Sequence, residues 1–444
     1  MSTVSEIRVR AGRRSEMALL AISWVIIVLA RAQVDYNAAY LEISVIALYG
    51  LGTAVLMIAA HVVLDKVAPN ADPVLLPAVF ALNGVGIAEI HRIDLAEDTS
   101  FANAQMIWMA LGVTAMIVVL LVLRDHRKLR RYTYTAGVVG LVLYLLPLVP
   151  GLGITVNGAR IWISILGHSM QPGEFAKIAL VIFFAGYLVT NRDTLALAGP
   201  KFLGMRFPRP RDMGPLLLVW AAAMLIMVYE RDLGASLLFF GIFLGMLYVA
   251  TQRLSWVLTG AGLFFIGGTV AALTIPHVRS RFDAWLHALD ADTYASGTSE
   301  QLVRGLFGMA SGGLFGTGLG NGRPDLVPYA ESDFIIASLG EELGLTGLMA
   351  ILTLYLIVVQ RAFRAAIGVR DGFGKLLASG LGFTIAIQVF IVVGGVTRVI
   401  PLTGLTAPFL AYGGSSLLAN WIVLALLLRV SDMARRPSEE AVPA

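Results

Sequence analysis

Long apolar stretches alternate with short charged or Gly- and Pro-rich stretches along most of this 444-residue chain. Each apolar stretch has roughly 16–25 residues, about the length of a helix that crosses the hydrocarbon core of a bilayer. Backbone polar groups cannot stay unpaired in lipid, so each stretch is predicted to be a helix. The predicted helices lie near residues 17–33, 43–64, 73–90, 104–123, 134–150, 174–190, 214–229, 232–250, 254–275, 332–360, 375–396 and 406–430. The pattern predicts an all-α, polytopic transmembrane helix bundle with about 12 spans.

The composition supports a membrane protein. Hydrophobic residues make up 57% of the chain and charged residues 14%, whereas a soluble domain has about 25% charged residues. This excludes a soluble enzyme and a DNA-binding protein. The chain has no cysteine, which excludes disulfides, thiol nucleophiles and Cys-ligated zinc.

The distribution of basic residues predicts the orientation. With the N-terminus inside, most of the 33 Lys and Arg fall on the cytoplasmic side, and both termini are cytoplasmic. Residues 1–72 contain the first two predicted helices, residues 73–430 contain the other ten, and residues 431–444 form a cytoplasmic tail. The two long outside loops are 151–173 and 276–331, and loops of such length are usually functional or disordered.

Glu174 and Lys177 are ionisable residues in a predicted span, QPGEFAKIAL. They are three residues apart, so on a helix they share one face. Ionisable groups inside a membrane are costly and usually functional, so the pair is expected to face a cavity near the outer leaflet. The alternative is a structural ion pair that fixes two helices together.

A second acidic cluster lies in ESDFIIASLGEELGLTG, where Glu341 and Glu342 are adjacent within an apolar run. At least one of them is expected to reach a polar partner such as Arg398 or Lys177, because neither can face lipid cheaply. A structural hydrogen-bonded role and a catalytic role both remain open.

The long outside loop contains three further acids, Asp283, Asp290 and Asp292, in RFDAWLHALDADTYASG. An Asp-x-Asp pattern can hold Mg²⁺ through carboxylate oxygens, although a solvated loop is the simpler interpretation. Arg160 and Trp162, in NGARIWI, place a cation and an amphipathic ring at the outer interface, where Trp also serves as a membrane anchor.

A glycine run, GTGLGNG at 316–322, does not predict a nucleotide site. It follows no predicted strand and lacks the Lys-Ser/Thr of a phosphate-binding loop. The six histidines show no metal-ligand spacing either.

Six segments, in family order and at family-like spacing over roughly 73–430, resemble the SEDS family of bacterial cell-wall proteins (shape, elongation, division and sporulation; RodA/FtsW-like). These segments are NGARIWI (157–163), QPGEFAK (171–177), ERDLGAS (230–236), SGGLFGTGLG (311–320), ESDFIIASLGEELGLTG (331–347) and TGLTAPFLAYGGSSLL (403–418). The two additional N-terminal spans, at about 17–64, are similar to those of actinobacterial members.

The resemblance implies a peptidoglycan glycosyltransferase on the outer face of the bacterial plasma membrane. Such an enzyme polymerises lipid II, releases undecaprenyl pyrophosphate and acts with a class B penicillin-binding protein, a transpeptidase. Lipid II, the membrane and this transpeptidase are thus the expected partners, and nucleic acid is not. The expected cofactor is Mg²⁺ or another divalent cation, with no nucleotide.

The resemblance also implies site residues. Asp292 matches the family's essential loop acid and is the candidate general base and metal ligand; Asp290 and Asp283 are its alternatives, because the register of the loop is imperfect. Glu174 and Lys177 match the family's paired acid and lysine. The candidate substrate-binding residues are Arg160, Trp162, Gln171, Asp232, Glu341 and Arg398.

Chemistry agrees with these residue types. Transfer to a sugar 4-hydroxyl needs a base to accept its proton, which a carboxylate can do. A leaving pyrophosphate needs positive charge, which Lys177, Arg160, Arg398 or Mg²⁺ could supply.

Two other functions stay open from the sequence. Polar residues within spans and Gly-rich segments such as 403–418 suit a lipid II flippase or another transporter. Against this, the sequence has no evident inverted repeat and its acids lie toward one face. The third possibility is a non-enzymatic activator of a transpeptidase, in which the additional N-terminal helices would matter more than Asp292.

Overall fold

The computed structural model describes most of the chain. The residues it does not describe are 1, 157–158, 166, 197–200, 203–204, 207–213, 215–217, 219–220, 223–224, 226–228, 231 and 437–444. The described α-helices are α1 (Ser2–Asn37), α2 (Ile43–Val67), α3 (Leu75–Glu97), α4 (Phe101–Val122), α5 (Thr133–Leu145), α6 (Gly173–Thr190), α7 (Arg192–Ala196), α8 (Leu233–Thr251), α9 (Leu254–Thr274), α10 (Pro276–Leu286), α11 (Ala291–Ala295), α12 (Glu300–Gly312), α13 (Ile335–Gly368), α14 (Gly372–Val396) and α15 (Gly414–Arg435). Short 3₁₀ helices span His126–Tyr132, Leu146–Leu148 and Pro324–Leu326.

The helical fold class is confirmed. Within the described residues, nine helices are long and apolar enough to cross a membrane: α1, α2, α4, α6, α8, α9, α13, α14 and α15. The predicted spans 73–90 and 134–150 are also helices, α3 and α5, but neither belongs to this set. The predicted span 214–229 lies largely outside the described residues. The exact number of spans therefore stays a prediction.

The chain divides into two compact units. The first unit comprises residues 1–126, 304–370 and 406–444, and the second comprises 127–303 and 371–405. The first unit is built around α3 and α15, which are buried along most of their length. In its core, Phe80 meets Trp421 edge-to-face with ring centroids 5.1 Å apart. A Cβ atom on Gly112 would collide with the Trp421 ring, so glycine lets α4 approach α15 closely.

One end of the first unit is held by charged side chains. The guanidinium of Arg429, which is 1% exposed, donates to the carbonyl oxygens of Val67 and Leu120 at the ends of α2 and α4. Asp432 accepts from Arg436 at 2.7 Å in the same region. The C-terminal ends of α2 and α15 therefore lie at the same end of the unit, as the predicted orientation requires.

The second unit packs α6 against α5, α8 and α14. Aromatic rings fill the space between α6 and α8, where Phe184 lies 5.4 Å from Phe239 and 5.5 Å from Phe243, between ring centroids. A cluster of this kind holds the two helices at a fixed distance, because aromatic rings bury large areas with defined geometry.

The predicted outside loop 151–173 contains a small sheet, which the all-helical prediction did not include. The antiparallel strands β1 (Gly153–Val156), β2 (Ala159–Ile165) and β3 (His168–Met170) pair in the order β1-β2-β3, with Ile154 opposite Trp162 and Ile163 opposite Met170. Alternation with β-branched residues in ARIWISI favours a strand over a helix. A second two-stranded sheet joins β4 (Lys201–Phe202) to β5 (Met205–Arg206).

The other predicted long loop, 276–331, is mainly helical. It contains α10, α11 and α12 followed by a 3₁₀ turn at Pro324–Leu326. Pro276 occupies the first turn of α10, a position where proline costs no backbone hydrogen bond.

Candidate functional site

The predicted acid–lysine pair is present at the start of α6. Glu174 Oε2 lies 2.6 Å from Lys177 Nζ, and the two residues are 6% and 4% exposed. Pro172 precedes the helix and places Glu174 in its first turn. A carboxylate there interacts favourably with the positive end of the helix dipole. The pair therefore brings two charges into a buried site in compensating positions.

Gln388 completes this pair. Lys177 Nζ donates to Gln388 Oε1 at 3.1 Å, and Gln388 is fully buried on α14. Gln388 was not a predicted site residue, although a lone amide in the apolar run 375–396 was an available signal. The ammonium group thus binds both a carboxylate on its own helix and an amide on a neighbouring one.

Asp232 lies beside the pair and caps α8. Its Oδ1 accepts a hydrogen bond from the backbone N–H of Ala235 at 2.8 Å, a typical N-cap contact. A cavity of about 20 Å³ lies at this place. Its polar lining comes from Asp232, Glu174, Lys177 and Gln171, and the rest of the lining from Tyr144, Gly173, Ala235, Leu238, Phe239, Ile242 and Leu405. Such a volume holds roughly one water molecule. A sugar would have to bind at its mouth or separate its walls.

The acids beside this cavity hold protons more tightly than usual. Burial raises the pKa of Glu230 to about 8, and the nearby Asp232 carboxylate adds to the rise. Burial also raises the pKa of Asp232 to about 6, while the hydrogen bond from Ala235 and the charge of Arg281 act in the opposite direction. Because both values are raised by folding, protonation stabilises the folded state, and this stabilisation is lost as pH rises toward 8. Glu230 was not a predicted site residue, although it opens the ERDLGAS segment.

Arg160 and Trp162 lie on β2, next to the same acidic segment. The backbone N–H of Arg160 donates to the carbonyl oxygen of Glu230 at 3.2 Å, and its Nη2 donates to Val149 at 3.3 Å. The side chain of Trp162 is half-buried. The sheet therefore fixes Arg160 beside Glu230. Asn157 and Gly158 of the same motif lie outside the described residues.

The three loop acids are all exposed. Asp292 lies in the first turn of α11, and within the described residues its carboxylate has no hydrogen-bond or ion-pair partner. Asp290 precedes α11 and lies 3.0 Å from His287 Nδ1, whereas Asp283 on α10 is 4.0 Å from Arg279. Of the three, Asp292 thus has the carboxylate that is most available to a substrate hydroxyl.

Arg398 holds the end of α10, the helix that carries Asp283 and precedes Asp290 and Asp292. Its Nε and Nη2 donate to the carbonyl oxygens of Trp285 and Leu286, at 2.8 and 3.0 Å, and Trp285 Nε1 donates back to the carbonyl of Arg398 at 3.0 Å. A cation at a helix C-terminus also complements the helix dipole. The structure gives Arg398 a positioning contact in addition to its predicted substrate role.

Glu341 and Glu342 lie in the first unit, where they bind the glycine run. Glu342 accepts from Arg92 Nε at 3.1 Å and from the N–H groups of Gly320 and Gly322 at 2.7 and 3.1 Å. Glu341 Oε1 accepts from the Arg323 N–H at 3.0 Å. The glycines of 316–322 thus bring backbone donors to carboxylates rather than to a nucleotide.

Glu342 reaches a polar partner as expected, but the cations named as examples were wrong. Arg92, on α3, takes the place predicted for Arg398 or Lys177, which bind carbonyl groups and Glu174 in the second unit. The physical reason is the packing of α3 against α13 in the first unit, which brings Arg92 to Glu342. α13 is also broken at Gly344, whose φ of +67° is a conformation that glycine adopts readily. At this break the Leu345 N–H donates to the carbonyl oxygen of Gly313, and the Thr317 N–H donates to the backbone carbonyl oxygen of Glu341, which holds the glycine-rich segment against the two acids.

No group of three or more His, Asp or Glu in the described part of the chain could hold a metal ion. A site of one or two carboxylates, which takes further oxygens from substrate phosphates and water, is a common arrangement for Mg²⁺. The exposed Asp292 fits that arrangement.

The fold and the site define a multi-pass helical membrane protein. Its site contains the buried cluster of Glu174, Lys177 and Gln388 beside two carboxyl groups with raised pKa values, those of Glu230 and Asp232. The FTSW_RODA_SPOVE family model, described as "Cell cycle protein", matches residues 73–436. The chain belongs to this family, so the resemblance to SEDS proteins is confirmed, and it is a multi-pass protein of the bacterial inner membrane.

Two relatives and one solved structure show how closely the chain follows the family. The peptidoglycan glycosyltransferase RodA of Mycobacterium tuberculosis (strain ATCC 25618 / H37Rv) is 53% identical over 396 residues, 88% of this chain and 84% of the relative. The protein of the same name from Mycobacterium leprae (strain TN) is 50% identical over 432 residues, 96% of this chain and 91% of the relative. A chain of the structure "Structural coordination of polymerization and crosslinking by a peptidoglycan synthase complex" has a TM-score of 0.67 at 23% identity, covering 83% of this chain and 99% of that one, which shows a shared fold.

Proposed function

We propose that this protein is a peptidoglycan glycosyltransferase that polymerises lipid II into glycan strands at the outer face of the membrane. The observation that carries the proposal is the 53% identity with a named peptidoglycan glycosyltransferase over 88% of the chain. The family model also matches residues 73–436, a range that contains Glu174 and Lys177.

The second unit supplies groups suited to the reaction. The Asp292 carboxylate accepts the proton of the acceptor 4-hydroxyl while that oxygen bonds to the anomeric carbon of the donor. The bond from that carbon to the pyrophosphate breaks, and undecaprenyl pyrophosphate leaves. Exposure of Asp292 in α11, without an ion-pair partner in the described part of the chain, supports this role.

Lys177 is the proposed source of positive charge for the leaving pyrophosphate. Glu174 and Gln388 hold its ammonium group at 2.6 and 3.1 Å, so its position is fixed before a substrate binds. Fixed charges aimed at a developing anion need no reorganisation during the reaction. Arg160 is a second candidate cation, because β2 holds it beside Glu230.

A divalent cation belongs to the proposal as a substrate-bridged ion. Mg²⁺ would supply additional positive charge to the pyrophosphate oxygens. Asp292 is the proposed protein ligand, with Asp290 held by His287 at 3.0 Å as the neighbouring alternative.

A class B penicillin-binding protein is the proposed partner. The solved structure with the same fold is described as a complex that coordinates polymerisation and crosslinking, which supports a transpeptidase partner in general. The strand-forming and strand-linking reactions use the same polymer, so an association of the two enzymes is chemically reasonable.

The test uses the purified chain, alone and with its transpeptidase, supplied with labelled lipid II and Mg²⁺ in detergent. We expect glycan ladders that persist when the transpeptidase site is blocked and that disappear in Asp292→Asn. Asp290→Asn is the matched control on the same loop and is expected to retain most activity. Activity in Asp292→Asn with none in Asp290→Asn would show that the loop register is wrong. Lipid movement across vesicles without any polymer would instead support a flippase.

A further inference from the structure

A basic cavity lies at one end of the first unit, and none of the predicted site residues lines it. Its volume is about 250 Å³, and it is lined by Asp72, Arg361, Arg364, Ala365, Gly368, Ser431, Ala434 and Arg435. This size is slightly below the roughly 300–1,000 Å³ of sites for drug-sized ligands, so it suits a small headgroup.

The charges lining this cavity do not cancel. Among the described residues of the lining, Arg361, Arg364 and Arg435 face one carboxylate, Asp72, so their formal charges sum to plus two. Asp72 Oδ2 lies 3.5 Å from Arg361 and 3.6 Å from Arg435, long contacts for an ion pair, and Asp72 Oδ1 accepts from the Val74 N–H at 3.0 Å. One carboxylate shared in this way leaves most of the guanidinium donors available.

Arg361 has an unsatisfied donor in this place. Its Nε atom is buried and has no hydrogen-bond partner within the described residues, while its side chain is 26% exposed. Buried guanidinium donors without acceptors are costly, and an anion entering the cavity would satisfy them. Arg364 is exposed at the rim, one helical turn along α13. Guanidinium groups bind phosphate oxygens through paired donors, which makes phosphate the best-matched anion.

The position of the cavity favours a membrane phosphate. Arg361 and Arg364 lie near the end of α13 and Arg435 is the last residue of α15, both of which are candidate spans. The predicted orientation puts these ends at the cytoplasmic face. Basic pockets between transmembrane helices on that side are suited to acidic lipid headgroups.

We infer that the cavity formed by Arg361, Arg364, Arg435 and Asp72 is a phosphate-binding site that takes the phosphate of an anionic headgroup. The chemistry is shared by an anionic phospholipid of the inner leaflet and by a small soluble phosphate. None of the residues that line this cavity is a candidate residue for the glycosyl transfer proposed above.

The experiment measures binding to the delipidated full chain in detergent. Native mass spectrometry counts bound phosphatidylglycerol and, separately, bound phosphatidylcholine, while a thermal-shift titration uses inorganic phosphate and glycerol 3-phosphate. The test variant is Arg361→Gln with Arg364→Gln. The matched control is Arg370→Gln with Arg124→Gln, which removes two exposed arginines of the first unit that do not line the cavity.

We expect phosphatidylglycerol to bind in preference to phosphatidylcholine. Its affinity should fall about tenfold for each arginine removed and change little in the control. Saturable binding of the soluble phosphates, lost in the same variant but without lipid preference, would assign the site to a small phosphate. Equal binding by the test variant and the control would overturn the proposal.

The variant Asp72→Asn distinguishes an electrostatic effect on binding from an effect of altered folding. This change removes the Asp72 carboxylate from the lining but keeps the oxygen that accepts from the Val74 N–H. Binding is therefore expected to strengthen several-fold. If binding weakened as in the arginine variant, the effect would be structural and the electrostatic proposal would be wrong.

Discussion

Lys177→Met removes the ammonium group that lies 2.6 Å from the buried Glu174 carboxylate. Methionine has a similar length, so the main change is the loss of a charge and of the donor to Gln388. Breaking one side of a buried ion pair costs about 3–5 kcal/mol, because the remaining charge has no compensation. Glu174→Gln leaves the ammonium group without its carboxylate and is expected to cost a similar amount.

The double variant Glu174→Gln with Lys177→Met distinguishes a structural pair from a catalytic one. It leaves no isolated charge, so most of the lost stability should return, with a coupling energy of at least about 1 kcal/mol. If the pair has only a structural role, the double variant should also recover polymerase activity. If Lys177 neutralises the leaving pyrophosphate, activity stays low although the protein is stable.

The measurements are thermal unfolding in detergent and lipid II polymerisation for the wild type, both single variants and the double variant. Lys375→Met is the matched control, since Lys375 is an exposed lysine of the same unit and should change stability by no more than about 0.5 kcal/mol. Additive stability effects, with no coupling between the two positions, would refute the reasoning from burial. Full activity in the double variant would refute the catalytic role.

Three further predictions concern stability in detergent. Between pH 6 and pH 8 the free energy of unfolding of the wild type should fall by about 2 kcal/mol more than that of Glu230→Gln, because the raised pKa of Glu230, about 8, favours the protonated folded state. Identical pH dependence of the two proteins would contradict this. Gly344→Ala should cost about 1–3 kcal/mol through its positive φ and crowding, whereas the control Gly267→Ala, with open space around it, should be neutral. Arg92→Met should lower the free energy of unfolding by about 3–5 kcal/mol, because Glu342 is left buried without a cation, and Arg92→Lys should lower it less. An unchanged melting temperature would refute the role of the pair.

Local patterns predicted much of this protein. Apolar run length identified the helices, because lipid requires every backbone group to be paired within the segment. The spacing of Glu174 and Lys177 predicted their ion pair, because residues three apart on a helix are neighbours. The six motif segments predicted the family to which the chain belongs.

The sheet at 153–170 was not predicted, because its short strands carry a weak local pattern. Its strands are only three to seven residues long, and Ile, Val and Trp in such short runs resemble the apolar residues of any loop near a membrane. Pairing between strands, rather than the content of either one, makes them strands.

The sequence by itself determined the long apolar helices of the described residues and which charges are neighbours along a helix, because those depend on contacts a few residues apart. Only the tertiary structure decided the partners of those charges. Gln388 reaches Lys177 from 211 residues away, Arg92 reaches Glu342 across 250, and Arg361 meets Asp72 across 289. Which helices pack together depends on the fit of whole helix surfaces, such as the close approach of α4 to α15 at Gly112. A pattern along one chain does not contain that fit, and so it could not predict the basic cavity or the cation beside Glu342.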